Sequence, residues 1–460
     1  MQGLQSRRPH SWRLMVSFVA AAAVLSTSLS ACTTPITGSA DSTASSSNKL
    51  QAPTEESPSG EITIWDRSGD LFGVFENTIA DFNKKYPNIK VHHEAVDIDA
   101  KLQNTLITGT DVPDGVFLDD AKVSAFTDHL WDLSDVLNPY IKDISKQKVD
   151  VNRKGDGIYG VPFDLNPGLL YYNEKALKAA GIDPTTIKTY DDLLKAAKDY
   201  KAFKPDAAPI HIERAGFLTQ LQLEMYASQL GTSLGDSEGK LRLDSAEYRQ
   251  ILTWLDTVNK EGLGTRTEYL DATDIAELEN GNEVFYPWAI WYSFAPEQML
   301  KETRGDWRAM ELPAWKSGGA RSGAMGGSSF VLPKNGKNSQ LAWLFYKFLM
   351  FDKDGYSKVW GTSSTYPNGL MTSIPSYLPA ADPKVPLFTP TDALGKQDLW
   401  AVATEAGSQI PGGTPIPSWW TGAVDYLGTN IQLMYDGKLS VDEVITNSSN
   451  DIQKNLVDRQ

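Results

Sequence analysis

The side chains able to do chemistry in this sequence are mostly carboxylates and rings. Asp66-Arg67 follows the stretch Glu61-Ile-Thr-Ile-Trp65, Asp119-Asp120 closes Pro113-Asp-Gly-Val-Phe-Leu118, and Asp164 and Asn166 lie in Gly160-Val-Pro-Phe-Asp-Leu-Asn-Pro-Gly168. There are 13 tryptophans, of which only Trp12 precedes Cys32, and two close pairs stand out, Trp288/Trp291 and Trp419/Trp420. Carboxylates and amides can hydrogen-bond fans of hydroxyls or pair with cations, and ring faces can cover C–H patches or attract ammonium groups. Each polar residue could equally be a solvated turn-former, and each Trp a core residue. The five histidines (His10, His92, His93, His129 and His211) form no His-x-x-x-His or HExxH pair. His92 and His93 are adjacent, so a strand would point them to opposite faces. The single cysteine, Cys32, excludes an intramolecular disulfide and a Cys-based zinc site. No metal centre and no cofactor is expected, and no serine nucleophile with a partnering histidine pattern is recognised.

These residues need elements to position them. Glu61–Trp65 alternates as a strand, and Phe72, Phe75, Ile79, Phe82 and Tyr86 recur at helical spacing until Pro87. Ile89–Val96 reads as a strand, Ala100–Thr108 as a helix closed by Gly109, and Pro113–Leu118 leads into a third strand. Alternating strands and helices predict a parallel sheet with covering helices. In such sheets ligands lie beyond the carboxyl ends of the strands, where Asp66, Arg67, Asp70, Asp119 and Asp120 fall. Further on, Tyr190–Lys201, Leu218–Leu230, Ala246–Glu261, Ser339–Phe351 and Val424–Tyr435 read as helices, and Glu283–Trp291 and Ser328–Leu332 as strands. At 460 residues the chain exceeds what one core usually supports, so two domains or one bilobal unit is predicted. With 43 Lys+Arg against 58 Asp+Glu the formal charge is −15, which argues against nucleic-acid binding.

The N-terminus reads as an address. Arg7, Arg8 and Arg13 precede the apolar run Leu14–Leu25, which is shorter than the roughly 20 residues a bilayer span takes. It ends in Leu29-Ser-Ala-Cys32, which resembles a bacterial lipobox and implies cleavage of residues 1–31 and acylation of Cys32. Residues 33–60, rich in Ser, Thr, Pro and Gly, cannot bury enough surface to offset their ordering entropy, so 32–60 is read as a flexible tether with no structure before Glu61.

Several motifs in order then resemble one family. They are Ile62-Thr-Ile-Trp65, Phe82-Asn-Lys-Lys-Tyr-Pro-Asn88, Gly109-Thr-Asp-Val-Pro-Asp114, Gly157-Ile-Tyr-Gly-Val-Pro-Phe163, Pro287-Trp-Ala-Ile-Trp291 and Gly437-Lys-Leu-Ser-Val-Asp-Glu443. Together they resemble the extracellular solute-binding proteins of ABC importers, in the maltose-binding-protein-like sugar branch. The resemblance implies an α/β, two-lobe, type II periplasmic-binding-protein-like clamshell. Lobe 1 would take 61–164 and 329–370, and lobe 2 165–328 and 371–460, with crossings near Asp164–Asn166, Ser322–Ser328 and Asn368–Thr372. It also implies a lipid-anchored, extracytoplasmic monomer that is not an enzyme and hands a sugar to an ABC permease. The expected ligand contacts are Asp66, Arg67, Asp119, Asp120, Asp164, Asn166, Trp288, Trp291, Gly327, Tyr366 and Trp420, with Trp288 at the family's sugar-stacking position. Leu118 and Ala121 stand near where that branch carries an aromatic and an acid, so maltodextrin contacts are not preserved there. The alternatives are a non-sugar cargo such as a polyamine, a secreted glycoside hydrolase, or an adhesion lipoprotein.

Overall fold

The computed structural model describes residues 48–459 except Ser68, Asp70, Ala215, Thr365, Met371 and 383–388. Cys32, the leader and most of the tether therefore lie outside the described residues. The strands are β1 (Gly60–Asp66), β2 (Ile89–Ala95), β3 (Gly115–Asp119), β4 (Arg153–Lys154), β5 (Gly157–Ile158), β6 (Val161–Pro162), β7 (Asp164–Leu165), β8 (Gly168–Asn173), β9 (Phe285–Ala289), β10 (Trp307–Glu311), β11 (Ser328–Val331) and β12 (Ile374–Pro375).

The first sheet runs β2-β1-β3-β11-β6. Its N-terminal part is parallel, as strand–helix alternation predicts: Gly60 through Asp66 pair in register with Ile89 through Ala95, and Ile64 pairs with Gly115. β11 enters antiparallel between β3 and β6, although it comes from far along the chain. Phe75, Phe117, Phe163 and Phe330 meet edge-on or tilted in the core against this sheet, with ring centroids 5.0–5.5 Å apart. The helix Ser339–Phe351 is apolar nearly all round because it is sunk into this core, with Leu341–Tyr346 and Phe348–Phe351 all buried.

The second sheet, β10-β8-β9, is antiparallel throughout, unlike the first. Between β8 and β9 the chain is mainly helical (Tyr190–Phe203, Gly216–Gln229, Ala246–Lys260 and Ala272–Glu279), so no βαβ crossover generates parallel neighbours. These helices and the sheet enclose a separate core holding Leu169, Tyr171, Tyr190, Tyr226, Trp254, Trp288 and Trp307.

Two expectations need correction. The run Leu71–Tyr86 is two helices, Phe72–Glu76 and Ile79–Lys85, parted at Asn77-Thr78, where the Thr78 hydroxyl donates to Phe75 O at 2.6 Å. The end of the tether is also built into the fold. Leu50 N–H donates to Asp132 O, Asp132 N–H donates to Asn48 O, and the Leu50 side chain is buried in the first core. One well-placed leucine supplies burial that an average composition hides.

Candidate functional site

Among the described residues the chain passes between the first and second cores at three places. Phe163 belongs to the first core and Leu165 to the second; Phe330 and Leu370 belong to the first, Met325 and Ile374 to the second. Two passages are paired directly, since β7 and β12 are antiparallel with Ile374 opposite Leu165. Asp164 ties all three together. Its Oδ1 accepts the Ser328 N–H at 2.7 Å, and its Oδ2 accepts the Ser373 hydroxyl at 3.1 Å and the Asn166 amide at 3.1 Å. A cavity of about 380 Å³ opens at these crossings.

Arg67, Asp119, Asp164, Asn166, Gly327 and Tyr366 line it. Arg67 pairs with Asp119, donates to Ser328 Oγ at 3.1 Å, and stands 5.0 Å from the Phe117 ring centroid. Asp119 also meets Lys122 at 3.0 Å. Burial pushes its carboxyl up, but the Arg67 and Lys122 charges outweigh that and hold it below the usual carboxylate range. Its neighbour Asp120 turns the other way, into the fold, as alternation at a strand end requires. There it is paired with the buried Lys148 and accepts the Ser329 hydroxyl at 2.6 Å. Burial leaves its pKa raised despite Lys148. Gly327 sits at φ 128°, and a Cβ there would lie 2.7 Å from both Asp120 Oδ2 and Lys148 Nζ, so only glycine fits.

The aromatic wall differs from expectation. Trp291 lines the cavity, together with Phe217, Tyr269 and Phe294. Trp288 does not: it is 0% exposed and lies one layer back. Tyr269 stacks on it at 4.9 Å and 11°, and Trp291 meets it edge-on at 5.3 Å. β9 is covered on both faces, so the ring that motif resemblance puts against ligand is a core ring here. Asp66 is likewise corrected: it is 0% exposed, with His93 Nε2 at 3.4 Å. Asp120 and Trp420 border a smaller adjoining cavity of about 70 Å³ rather than the main one. That cavity shares Ala121, Leu221 and Gly326 with the main cavity. Glu224 borders it too; burial pushes this carboxyl up to about 7, against hydrogen bonds from Tyr248 and Trp420.

Sequence reasoning missed Tyr269, Phe217, Phe294, Lys148 and Ser373, which sit in loops or at helix ends where no periodicity marks them. It also passed over Gly231-Thr-Ser-Leu-Gly235, which has nucleophile-elbow spacing. This segment is a turn after the helix Gly216–Gln229, and the Ser233 hydroxyl donates to its own turn at Gly235 O.

The pattern of a family described as bacterial extracellular solute-binding protein matches residues 77–386. An arabinooligosaccharide-binding protein of Bacillus subtilis (strain 168) is 27% identical over 65% of this chain and 71% of its own length. Its namesake in Halalkalibacterium halodurans is 26% identical over 65% and 69%. Among solved structures, the sugar-binding protein MalE from Xanthomonas citri superposes with a TM-score of 0.72 at 21% identity, covering 87% of this chain and 98% of that one. That likeness establishes the two-lobe clamshell fold. With a core on each side of these passages and a cavity at them, the chain belongs to the bacterial extracellular solute-binding proteins.

Proposed function

We propose that this chain captures a carbohydrate in the cavity at the lobe crossings and delivers it to an ABC import permease, with an arabinose-containing oligosaccharide as the first candidate. The observation that carries this reading is the make-up of the wall. The ring of Trp291, with Tyr269, faces a polar side of Arg67, Asp119, Asp164 and Asn166. Ring faces suit sugar C–H patches, and charged groups and amides suit hydroxyls. The ligand name borne by the two Bacillaceae relatives supplies the candidate. A polyamine fits less well: Asp119 is already paired with Arg67 and Lys122, and Asp164 accepts three hydrogen bonds.

The lobes are proposed as 61–164 with 329–370, and 165–328 with 371–460, hinging at the crossings that Asp164 ties. Arg67, Asp119, Asp164, Asn166, Gly327, Trp291 and Tyr366 are proposed as ligand contacts. Cys32 is proposed as the lipidated anchor that holds a monomer at the outer face of the cell membrane, and the ligand is returned unaltered. Calorimetric titration with arabino-oligosaccharides, lactose and maltose tests this. Saturable binding of one of them, abolished or weakened by about 1–3 kcal/mol in Trp291→Ala, supports the reading. No heat from any sugar, or chemical conversion of the bound sugar, overturns it.

A further inference from the structure

Behind Trp288 lies a group of ionisable side chains that the sugar site does not use. His211, Glu213, Asp274 and Glu283 are all 0% exposed. They come from three places in the second core: the segment beside β9, the first turn of the helix Ala272–Glu279, and the residue two before β9. His211, Asp274 and Glu283 each offer one ligand atom, and those atoms lie within 4.8 Å of one another. Glu283 Oε1 is 3.1 Å and Asp274 Oδ1 3.6 Å from His211 Nδ1. In a tetrahedral site with N and O ligands at about 2.0–2.1 Å, neighbouring ligand atoms are about 3.3 Å apart. The observed spacings bracket that value.

Four further observations bear on a ligand in this place. Glu283 is wholly buried, yet neither of its carboxylate oxygens has a hydrogen-bond partner among the described residues, and Oε1 is turned to the Nδ1 side of His211. Such a group is costly to bury alone. The far nitrogen of the same imidazole, Nε2, stands 3.4 Å from Glu213 Oε2. Among the described residues no hydrogen bond forms at Nε2, and Nδ1 is the nitrogen that faces Glu283 and Asp274. Asp274 is held from behind: Thr267 Oγ1 donates to Oδ1 at 2.7 Å, and Leu270 N–H and Tyr286 Oη donate to Oδ2 at 2.9 and 3.1 Å. Finally, three carboxylates surround one imidazole, all four residues fully buried, and the adjacent Arg214 side chain is spent on Thr265 O and Asn259 Oδ1.

We propose that His211 Nδ1, Asp274 Oδ1 and Glu283 Oε1 bind a divalent transition-metal cation of the zinc class, with Glu213 orienting the imidazole from its other side. A divalent cation cancels the charges of Asp274 and Glu283, and one nitrogen with two carboxylates is a donor set zinc accepts. Thr265 Oγ1 also stands 3.5 Å from Nδ1. The role is structural. The ion would pin the 265–274 segment, which carries Tyr269, to the start of β9, and it would enter during folding because the site has no exposure.

The test uses full chain produced in zinc-supplemented medium and purified without chelator. Elemental analysis is expected to find about one zinc per chain, and unfolding in chelator followed by refolding without zinc is expected to lower Tm, with recovery on refolding with zinc. Glu283→Gln keeps the shape of a protonated Glu283 but removes the ligand charge, so it is expected to lose metal at least tenfold, and its Tm is expected to ignore chelator. Trp291→Ala is expected to keep its zinc whatever happens to sugar binding, which separates this site from the cargo assignment. Metal-free wild type from supplemented medium with a Tm indifferent to zinc overturns the proposal and leaves a proton on Glu283 as the neutralising ion. Equal zinc in wild type and Glu283→Gln also overturns it, because the metal then sits elsewhere. If Glu283→Gln does not fold, the wild-type measurements still decide the matter.

Discussion

Replacing Trp288 by alanine separates a core role from a ligand role. Its ring is stacked on Tyr269 at 4.9 Å and is edge-on to His211, Trp291 and Tyr286 at 5.3, 5.3 and 5.8 Å. On β9 it stands opposite Leu169 of β8, itself fully buried. Truncating a buried Trp costs about 3–5 kcal/mol through lost burial and the cavity left behind. Each aromatic pair adds roughly 0.5–1.5 kcal/mol beyond burial, which puts this site towards the upper end. Against a total stability of about 5–15 kcal/mol, a third or more of the margin goes. With an m-value near 3 kcal/mol/M the urea midpoint should fall by about 1–1.7 M. Tryptophan fluorescence and far-UV circular dichroism would follow the transition, with Trp291→Ala as the partner measurement. Trp291 is only half-buried, so its loss should cost about 1 kcal/mol of stability while weakening ligand binding more. A Trp288→Ala protein with an unmoved midpoint and lost affinity would refute this reasoning, for the ring would then have to reach ligand directly.

Other outcomes follow from the buried charges. Glu224 has its pKa raised from 4.5 to about 7, so the native state favours the protonated form. The stabilisation is complete below the unfolded value of 4.5 and is lost as pH climbs through 7. The full shift would be worth roughly 3 kcal/mol, and because the side chain is partly exposed, screening reduces it to about 1–2 kcal/mol. Glu224→Gln should therefore gain Tm relative to wild type between pH 5 and pH 8, by thermal melts at about unit steps; parallel curves would contradict the assignment. Gly327→Ala pushes a methyl between Asp120 and Lys148 at a backbone angle alanine avoids. It should lose about 1–3 kcal/mol and misplace Asp164, read as a lower Tm together with weaker ligand binding. An unchanged Tm would show that the pair can move aside.

Local signals carried the fold further than the site. The helix Ser339–Phe351 is legible to the residue because its hydrophobicity ends sharply at Asp352. β1 is legible because alternation and β-branching agree. The crossing at Asp164–Asn166 was placed by the family resemblance, not by any local period of the extended, proline-flanked run that holds it. What failed shares one cause. Sequence period says which residues of a strand share a face; it does not say which face meets the cleft. All five residues of β9 are buried, so Trp288 and Tyr286 share a face with no outward partner to betray it. Tyr269, one of the rings that line the cavity, comes from a loop 19 positions before Trp288 and has no pattern of its own.

The same limit hides the ionisable group, whose members stand at 211, 213, 274 and 283 and meet only after the second core has closed. Its position has a mechanical consequence for the cleft. Tyr269 rests on Trp288, Trp288 abuts His211, and His211 stands 3.4 Å from Glu213 and 3.1 Å from Glu283. Glu213 also accepts the Tyr269 N–H at 3.1 Å, so the loop that presents the ring is fastened to the charges below it by backbone as well as by stacking. A column built this way couples stability and recognition through position, not contact. Loosening its base should leave ligand contacts chemically intact but let the Tyr269 face wander, and a ring that wanders must lose entropy on binding. Changes at the base should therefore weaken binding mainly through an unfavourable entropy, whereas Trp291→Ala should weaken it through enthalpy. Calorimetry on Glu213→Gln and Trp291→Ala distinguishes the two, and equal enthalpy losses in both would mean that the column does not transmit.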